Sequence, residues 1–414
     1  MSITPPPPPQ VPALRFKGFT EPWHSKKLSD LYDLAGSGGT PSSAISDYYG
    51  GPIPFLGISD ISGRYVRSTV KTITQAGLEN SAAWIVPKGS ISLAMYASVG
   101  KVAITETDLA TSQAFFNMVF SDHVLRDFAY TRLSLAAMNS EWEPLISTGT
   151  QSNLNAEKIK RFTILIPAHE EQKLVSTLHK QFDFLISLNK EKYAALVQLK
   201  QAMLERMFPR EGETVPELRF PGFTNPWDLY QVSDLCTFSK GSGFSKSDLR
   251  DSGIPVVLYG RLYTNYQYQI SSLDTYVDPT DNAVFSSGGE VLIPSSGETA
   301  KDIAVASMLN LSGAAIGGDL NILKPGSQVD PLFLAITLSS GSPQKQLIRR
   351  AQGKSVVHLH NSDIAKTLIA CPSINEQRQI RQFFQTLDER IEFQSRRVDK
   401  LKELKQALLE KMFV

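Results

Sequence analysis

At 414 residues the chain is too long for one average domain, and length alone calls for two or three units, each able to bury its own core. With 42% hydrophobic and 20% charged residues it falls among globular chains and outside the disordered and fibrous classes. A formal charge of only +1, from 42 Lys plus Arg against 41 Asp plus Glu, excludes a generic polycation that coats a phosphate backbone, so any DNA binding must be local or shared with a basic partner.

The chain opens with MSITPPPPPQ, whose prolines lack backbone donors and favour extended polyproline, so residues 1–11 are expected to be a disordered tail. No basic stretch leads into an apolar one, and no run of 18 apolar residues occurs. Neither a signal peptide nor a membrane span is expected, which implies a cytoplasmic protein with no membrane partner.

Residues 12–23 read PALRFKGFTEPW and open a first unit assigned to 12–169. Short β-type runs at 82–86 and 91–96 stand between glycine-rich turns, which points to a mixed α/β lobe with exposed loops. Reading base edges takes loop side chains that donate and accept hydrogen bonds, with Ser or Lys on phosphates. The candidates are Tyr48 and Tyr49; Ser59, Asp60 and Arg64 in GISDISGR; Tyr96, Ser98 and Lys101 in MYASVGK; and Thr148, Thr150, Gln151 and Asn153 in TGTQSN. The plain alternative is that these are half-buried strand residues and chain reversals.

From Glu170 to Phe208 there is no glycine or proline, so one helix of roughly 58 Å fits at 1.5 Å per residue. Its positions spaced four and three apart include Phe182, Ile186, Asn189, Tyr193 and Leu196. A linker at 209–215 leads to a second unit at 216–374, which begins PELRFPGFTNPW. Nine of these twelve positions match residues 12–23 at an offset of 204.

β-type runs at 256–259 and 291–293 give the second unit the same mixed character. Its candidates are Lys240 and Ser242; Tyr259, Arg261 and Tyr263; Ser295, Ser296 and Lys301; and Gln352, Lys354 and Ser355, in the same order as the first set. GSG at 241–243 lacks the GKS or GKT tail of a phosphate loop. His358 and His360 fit one strand face but have no third ligand at metal spacing, so no metal site is assigned. Cys236 and Cys371 have no CxxC neighbour and read as small core residues.

A second helix follows at 375–414, with Leu387, Ile391, Gln394, Val398 and Leu401 on its seam. It ends LKQALLEKMF, against LKQAMLERMF at 199–208, eight of ten identical at an offset of 205. Both seams break at equivalent polar places, Asn189 with Gln394 and Lys200 with Lys405, as partner helices in fixed register require. The fold class expected is therefore α+β: two mixed α/β lobes related by a pseudo-twofold repeat and separated by two long antiparallel coiled-coil helices. The alternative is that each helix packs only on its own lobe.

The repeated segments LRFxGFTxPW and LKQAxLExMF, in a constant–variable–constant order written twice, resemble the specificity subunits of Type I restriction-modification systems across essentially the whole chain. The resemblance implies two target-recognition domains, each reading one half of a split, asymmetric double-stranded DNA target. It further implies two methyltransferase subunits that methylate adenine N6 and two restriction or motor subunits. S-adenosylmethionine, ATP and Mg are expected on those partners, with no cofactor in this chain.

No catalytic residue is assigned. The tetrapeptide of an adenine methyltransferase is absent, and Glu403-Leu404-Lys405, which has the E-x-K form of many nucleases, lies inside the helical heptads. The competing class is a coiled-coil scaffold whose lobes bind partners other than DNA. Near-neutral charge favours it and the double signature opposes it. On the DNA reading, the helices act as a ruler between half-sites about one turn apart, roughly 34 to 36 Å.

Overall fold

The computed structural model describes residues 11–146, 153–278, 280–353 and 355–414, so the proline-rich start lies outside the described residues. The chain divides into two compact units, Met1–Lys192 with Gln394–Val414, and Tyr193–Phe393. Each long helix thus begins in one unit and ends in the other.

The first unit is built on a five-stranded sheet in the order Leu34–Gly36, Phe115–Val119, Ile91–Ala94, Val102–Thr105, Tyr65–Val66, and a four-stranded sheet of Lys71–Ile73, Tyr49–Leu56, Leu109–Thr111 and Trp84–Val86. Ile91–Ala94 and Val102–Thr105 are buried throughout, Ser92 and Thr105 included, so neither alternates between a buried and an exposed face. The expected strand at 91–96 ends at Ala94, because Met95 takes the Ala114 carbonyl and Ser98 and Gly100 then turn the chain with φ of 61° and 83°. That expected at 82–86 begins at Trp84, since the Ser81 hydroxyl accepts from the Ala83 amide.

In the second unit a five-stranded sheet runs Cys236–Lys240, Leu320–Pro325, Glu290–Pro294, Ser307–Leu309, Gln269–Ile270, and a second runs Leu249–Arg250, Tyr276–Val277, Ile254–Val257, Ser312–Ile316, Phe285–Ser287. The register repeats between units: Tyr65 faces Ile104 in a parallel pair, as Gln269 faces Met308. Each unit also carries a buried helix capped by aspartate: Asp122 accepts from Val124 and Leu125 ahead of His123–Met138, and Asp330 from Leu332 and Phe333 ahead of Pro331–Leu338.

The central helix spans His169–Arg206 and the distal helix Ile374–Met412. Within the first unit they run antiparallel, since Asn189 meets Gln394 while the earlier Asp183 meets the later Lys405. The second unit shows the same sense, with Lys200 on Asp388 and Phe208 beside Phe384. Among the expected seam positions Asn189, Leu387, Gln394 and Val398 are buried, and Phe182, Ile186, Leu196, Ile391 and Leu401 are half-buried. Tyr193 instead stands 38% exposed.

Packing explains why those two motifs, of all segments, are repeated: they meet each other. Trp23 sets its ring edge-on to Phe128 and Phe413, and Trp227 does the same to Phe333 and Phe208. In both units an arginine of LRF forks onto the first turn of a long helix: Arg15 on Glu171 at 2.8 and 2.6 Å, Arg219 on Glu376 at 2.8 and 2.8 Å. The repeated edges are a frame, and the lobes between them are free to differ.

Candidate nucleic-acid interface

In the second unit three of the four candidate loops converge on one sheet edge. Ser296–Gly297 pairs antiparallel with Val357–His358, and His358 in turn exchanges backbone hydrogen bonds with Gln352 at 2.9 and 2.7 Å. Tyr263 donates its hydroxyl to the Ser296 carbonyl at 3.5 Å, and its ring meets that of Tyr259 edge-on at 5.7 Å. Burial and the neighbouring Tyr259 raise the Tyr263 pKa, so the hydroxyl remains a protonated donor. Lys301, on the turn Ala300–Ile303 packed beside this pair of strands, is exposed, as are Gln352 and Ser355. Lys354 lies outside the described residues.

Four other candidates of this unit are divided between the turn and the interior. Lys240 is exposed at the end of its strand. Ser242 donates to the Asn282 carbonyl at 2.6 Å and accepts from the Val284 amide, which locks a turn. Ser295 is buried, with its carbonyl taken by Leu359, and Arg261 spends its guanidinium on the Asn265 carbonyl and on Gln267. Sequence reasoning weighed His358 and His360 only as metal ligands, and they present exposed, parallel rings 6.2 Å apart on this same edge. Their i, i+2 spacing was the available signal, and only the pairing with Ser296 shows what lies beside them. Among the described residues no group of three or more His, Cys, Asp or Glu could hold a metal ion.

The first unit repeats this edge in backbone terms. Leu154 donates to the Met95 carbonyl at 2.8 Å as Leu359 donates to Ser295 at 3.0 Å, which makes Leu154 and Leu359 structural equivalents. Asn153 is half-buried and Tyr96 packs on the core, while Thr148, Thr150 and Gln151 lie outside the described residues. Ser98 takes a left-handed turn conformation, and Lys101 donates to the Ile58 carbonyl at 3.3 Å. Ser59 is exposed, but Asp60 is occupied with the amides of Gly57 and Val70. Tyr48 gives its carbonyl to Thr74, and Tyr49 donates its hydroxyl to Pro41 at 2.6 Å.

Arg64 is nowhere near solvent. It is 4% exposed, donates to Asp183 at 2.8 Å and to Thr131 at 3.2 Å, and stacks over the Tyr130 ring at 4.2 Å. A guanidinium so enclosed has no reach to a base edge, which removes it from the reading set. Asp183 also accepts from Lys405 at 2.5 Å, so the lysine that breaks the seam is neutralised across the helix pair. The second unit matches this with Lys200 on Asp388 at 2.5 Å, where burial pushes the Asp388 carboxyl up and Lys200 pulls it back. Both thiols are inert by the same physics, burial pushing Cys236 and Cys371 up to about 12.

Comparison with known proteins follows this duplication. The family model described as the Type I restriction modification DNA specificity domain matches twice, over residues 20–198 and 224–403. The specificity subunit of the Type I restriction enzyme MjaIX from Methanocaldococcus jannaschii is 24% identical over 407 residues, covering 94% of this chain and 92% of that protein. Among solved structures, the S subunit of a Type I restriction-modification system from M. genitalium is similar in fold at a TM-score of 0.65 and 14% identity, over 98% of this chain and 99% of that one. A chain from a study of complex assembly in the type I R-M system matches with a TM-score of 0.54 and 18% identity, over 94% and 97%. No helix among the described residues is long and apolar enough to cross a membrane.

Proposed function

This chain belongs to the Type I restriction-modification DNA specificity family, as a non-catalytic specificity subunit, and from that premise we propose that each of its two lobes reads one half of a split, asymmetric DNA target. The observation that carries the reading is the double match to the specificity domain around lobes that share a frame but not their loops. Equal frames would hold two readers alike, and unequal loops would read unequal sequences. On the second lobe the reading edge is formed by Tyr259, Tyr263, Ser296, Gln352, His358 and Lys301. Tyrosine and glutamine there can donate and accept at base edges, and Lys301 can contact phosphate. The near-zero net charge means that further phosphate contacts come from partner subunits.

Those partners are two methyltransferase subunits that carry S-adenosylmethionine to adenine N6, and two restriction or motor subunits that use ATP and Mg. Such a complex acts on DNA in the cytoplasm. Apolar side chains left exposed along the central helix in the first unit, Phe184 and Leu188, suit a methyltransferase docking face. The helix pair sets the spacing between half-sites.

The test is to co-express the chain with its methyltransferase partner in a methylation-free host and map N6-methyladenine. A bipartite, asymmetric motif is expected, and a continuous or palindromic motif overturns the split-target reading. One heptad inserted in both helices should lengthen the spacer and leave both half-sites unchanged.

A further inference from the structure

We propose that Arg64 is a positioning residue: it ties the reading loop of the first lobe to the helix pair, and this tie governs how strictly the first half-site is read. The inference rests on the reading of the chain as a DNA specificity subunit.

Three observations carry it. First, Arg64 ends the loop GISDISGR and joins it to the rest of the unit at one carboxylate. Its Nε reaches Asp183 on the central helix at 2.8 Å, and its Nη2 reaches Thr131 on His123–Met138 at 3.2 Å. The other oxygen of Asp183 accepts from Lys405 on the distal helix at 2.5 Å. Loop, lobe helix and both long helices therefore share one point.

Second, the loop is already stiff within itself. Lys101 holds the Ile58 carbonyl, and Asp60 holds the amides of Gly57 and Val70. A loop stiff within itself moves as a body, so its orientation is set where it is anchored. What it leaves exposed is Ser59, Ser62 and Gly63.

Third, charge neutralisation does not call for this arginine. Lys405 alone balances Asp183, and burying a second cation costs desolvation. The second lobe does without it. Ile104 donates to the Arg64 carbonyl at 2.8 Å as Met308 donates to that of Tyr268 at 2.7 Å, so Tyr268 is the equivalent residue. There Lys200 pairs with Asp388 unaided and lies over the Tyr268 ring at 4.3 Å. What arginine adds over tyrosine is a planar fork that holds two acceptors at a fixed angle.

The experiment uses the complex of the full chain with its methyltransferase partner, expressed in a methylation-free host, with wild type, Arg64→Met and Arg64→Lys compared. Methylation is scored at the cognate motif and at motifs with a single mismatch in either half. The half read by the first lobe is identified by exchanging residues 24–166 for those of a relative with a different target.

Arg64→Met leaves Asp183 paired with Lys405, so the complex is expected to assemble. Methylation of first-half mismatches, relative to cognate sites, should rise roughly 3- to 10-fold, as a displaced contact surface predicts. Second-half discrimination should be unchanged, and Arg64→Lys should recover part of the loss. Equal relaxation in both halves, no relaxation in either, or a uniform fall in methylation with discrimination intact would each overturn the tie. A wild-type complex that produces no bipartite motif would instead overturn the reading beneath it.

Discussion

The two lobes meet the long helices through the same frame and different chemistry. Both set an aspartate on one helix against a lysine on the other, Asp183 with Lys405 and Asp388 with Lys200. Around that shared pair the first lobe packs Arg64 and His179, where the second packs Tyr268 and Phe384. His179 is fully buried beside Phe413 with neither ring nitrogen hydrogen-bonded, and Phe384 fills the matching place beside Phe208 with no polar atom to satisfy. Helix register thus needs only the carboxylate and the lysine, and the material around them is open to divergence. The first lobe spent that freedom on polarity, which makes it the more fragile of the two.

Removing the carboxylate should show the largest difference. Asp183→Ala leaves a buried guanidinium and a largely buried ammonium without their counter-charge, with only the Thr131 hydroxyl still accepting from Arg64, and should cost the first unit about 3 to 5 kcal/mol. Asp388→Ala strands only Lys200, which is partly solvated, and should cost about 1 to 2 kcal/mol. Hydrogen exchange followed peptide by peptide in each unit reads both values. Equal losses would contradict the contrast drawn between the two junctions.

Acid should separate the lobes next. Burial first, and then the Lys405 charge, lower the His179 pKa to about 4. An unfolded histidine titrates near 6.5, so the unfolded chain takes up the proton first as pH falls. The first unit therefore loses stability progressively from about pH 6.5 down to about 4, by roughly 3 kcal/mol in all, with no contribution above that window. Exchange protection in first-unit peptides measured from pH 7 to 4 checks the sign. His179→Phe, which copies the second lobe, should abolish the slope and add about 1 kcal/mol at neutral pH by removing two unsatisfied nitrogens.

Smaller effects sharpen the comparison. Gln394 donates to both the side chain and the carbonyl of Asn189, at 2.7 and 3.0 Å. Gln394→Leu should lower thermal stability by about 1 to 2 kcal/mol in the first unit, since the buried Asn189 oxygen loses its donor. At the reading edge, Lys301→Ala should weaken DNA binding by the assembled complex about equally across sequences and reduce the salt slope by about 1. A salt titration of binding measures it, and an unchanged slope would remove Lys301 from the phosphate contacts.

Much of the frame was legible in the residues alone. The duplicated edges, two long glycine-free helices and the polar breaks at Asn189 and Gln394 are local or periodic signals, and the helices begin and end within a few residues of where those signals place them. The reading edge was legible as a set of loops but not as individual contacts. Tyr263, Ser296 and His358 meet through strand pairing across 33 to 95 residues of chain, and no local pattern encodes that.

Arg64 shows the limit most clearly. In GISDISGR it has the look of an exposed loop arginine, yet its partner lies 119 residues away on a helix and is shared with Lys405, 222 residues beyond that. Sequence by itself determined the repeat, the secondary structure of its frame and the family, because these depend on periodicity and identity along the chain. Tertiary structure alone decided which charges are buried, which loops touch and how the two junctions differ, because burial and pairing depend on residues brought together only by folding.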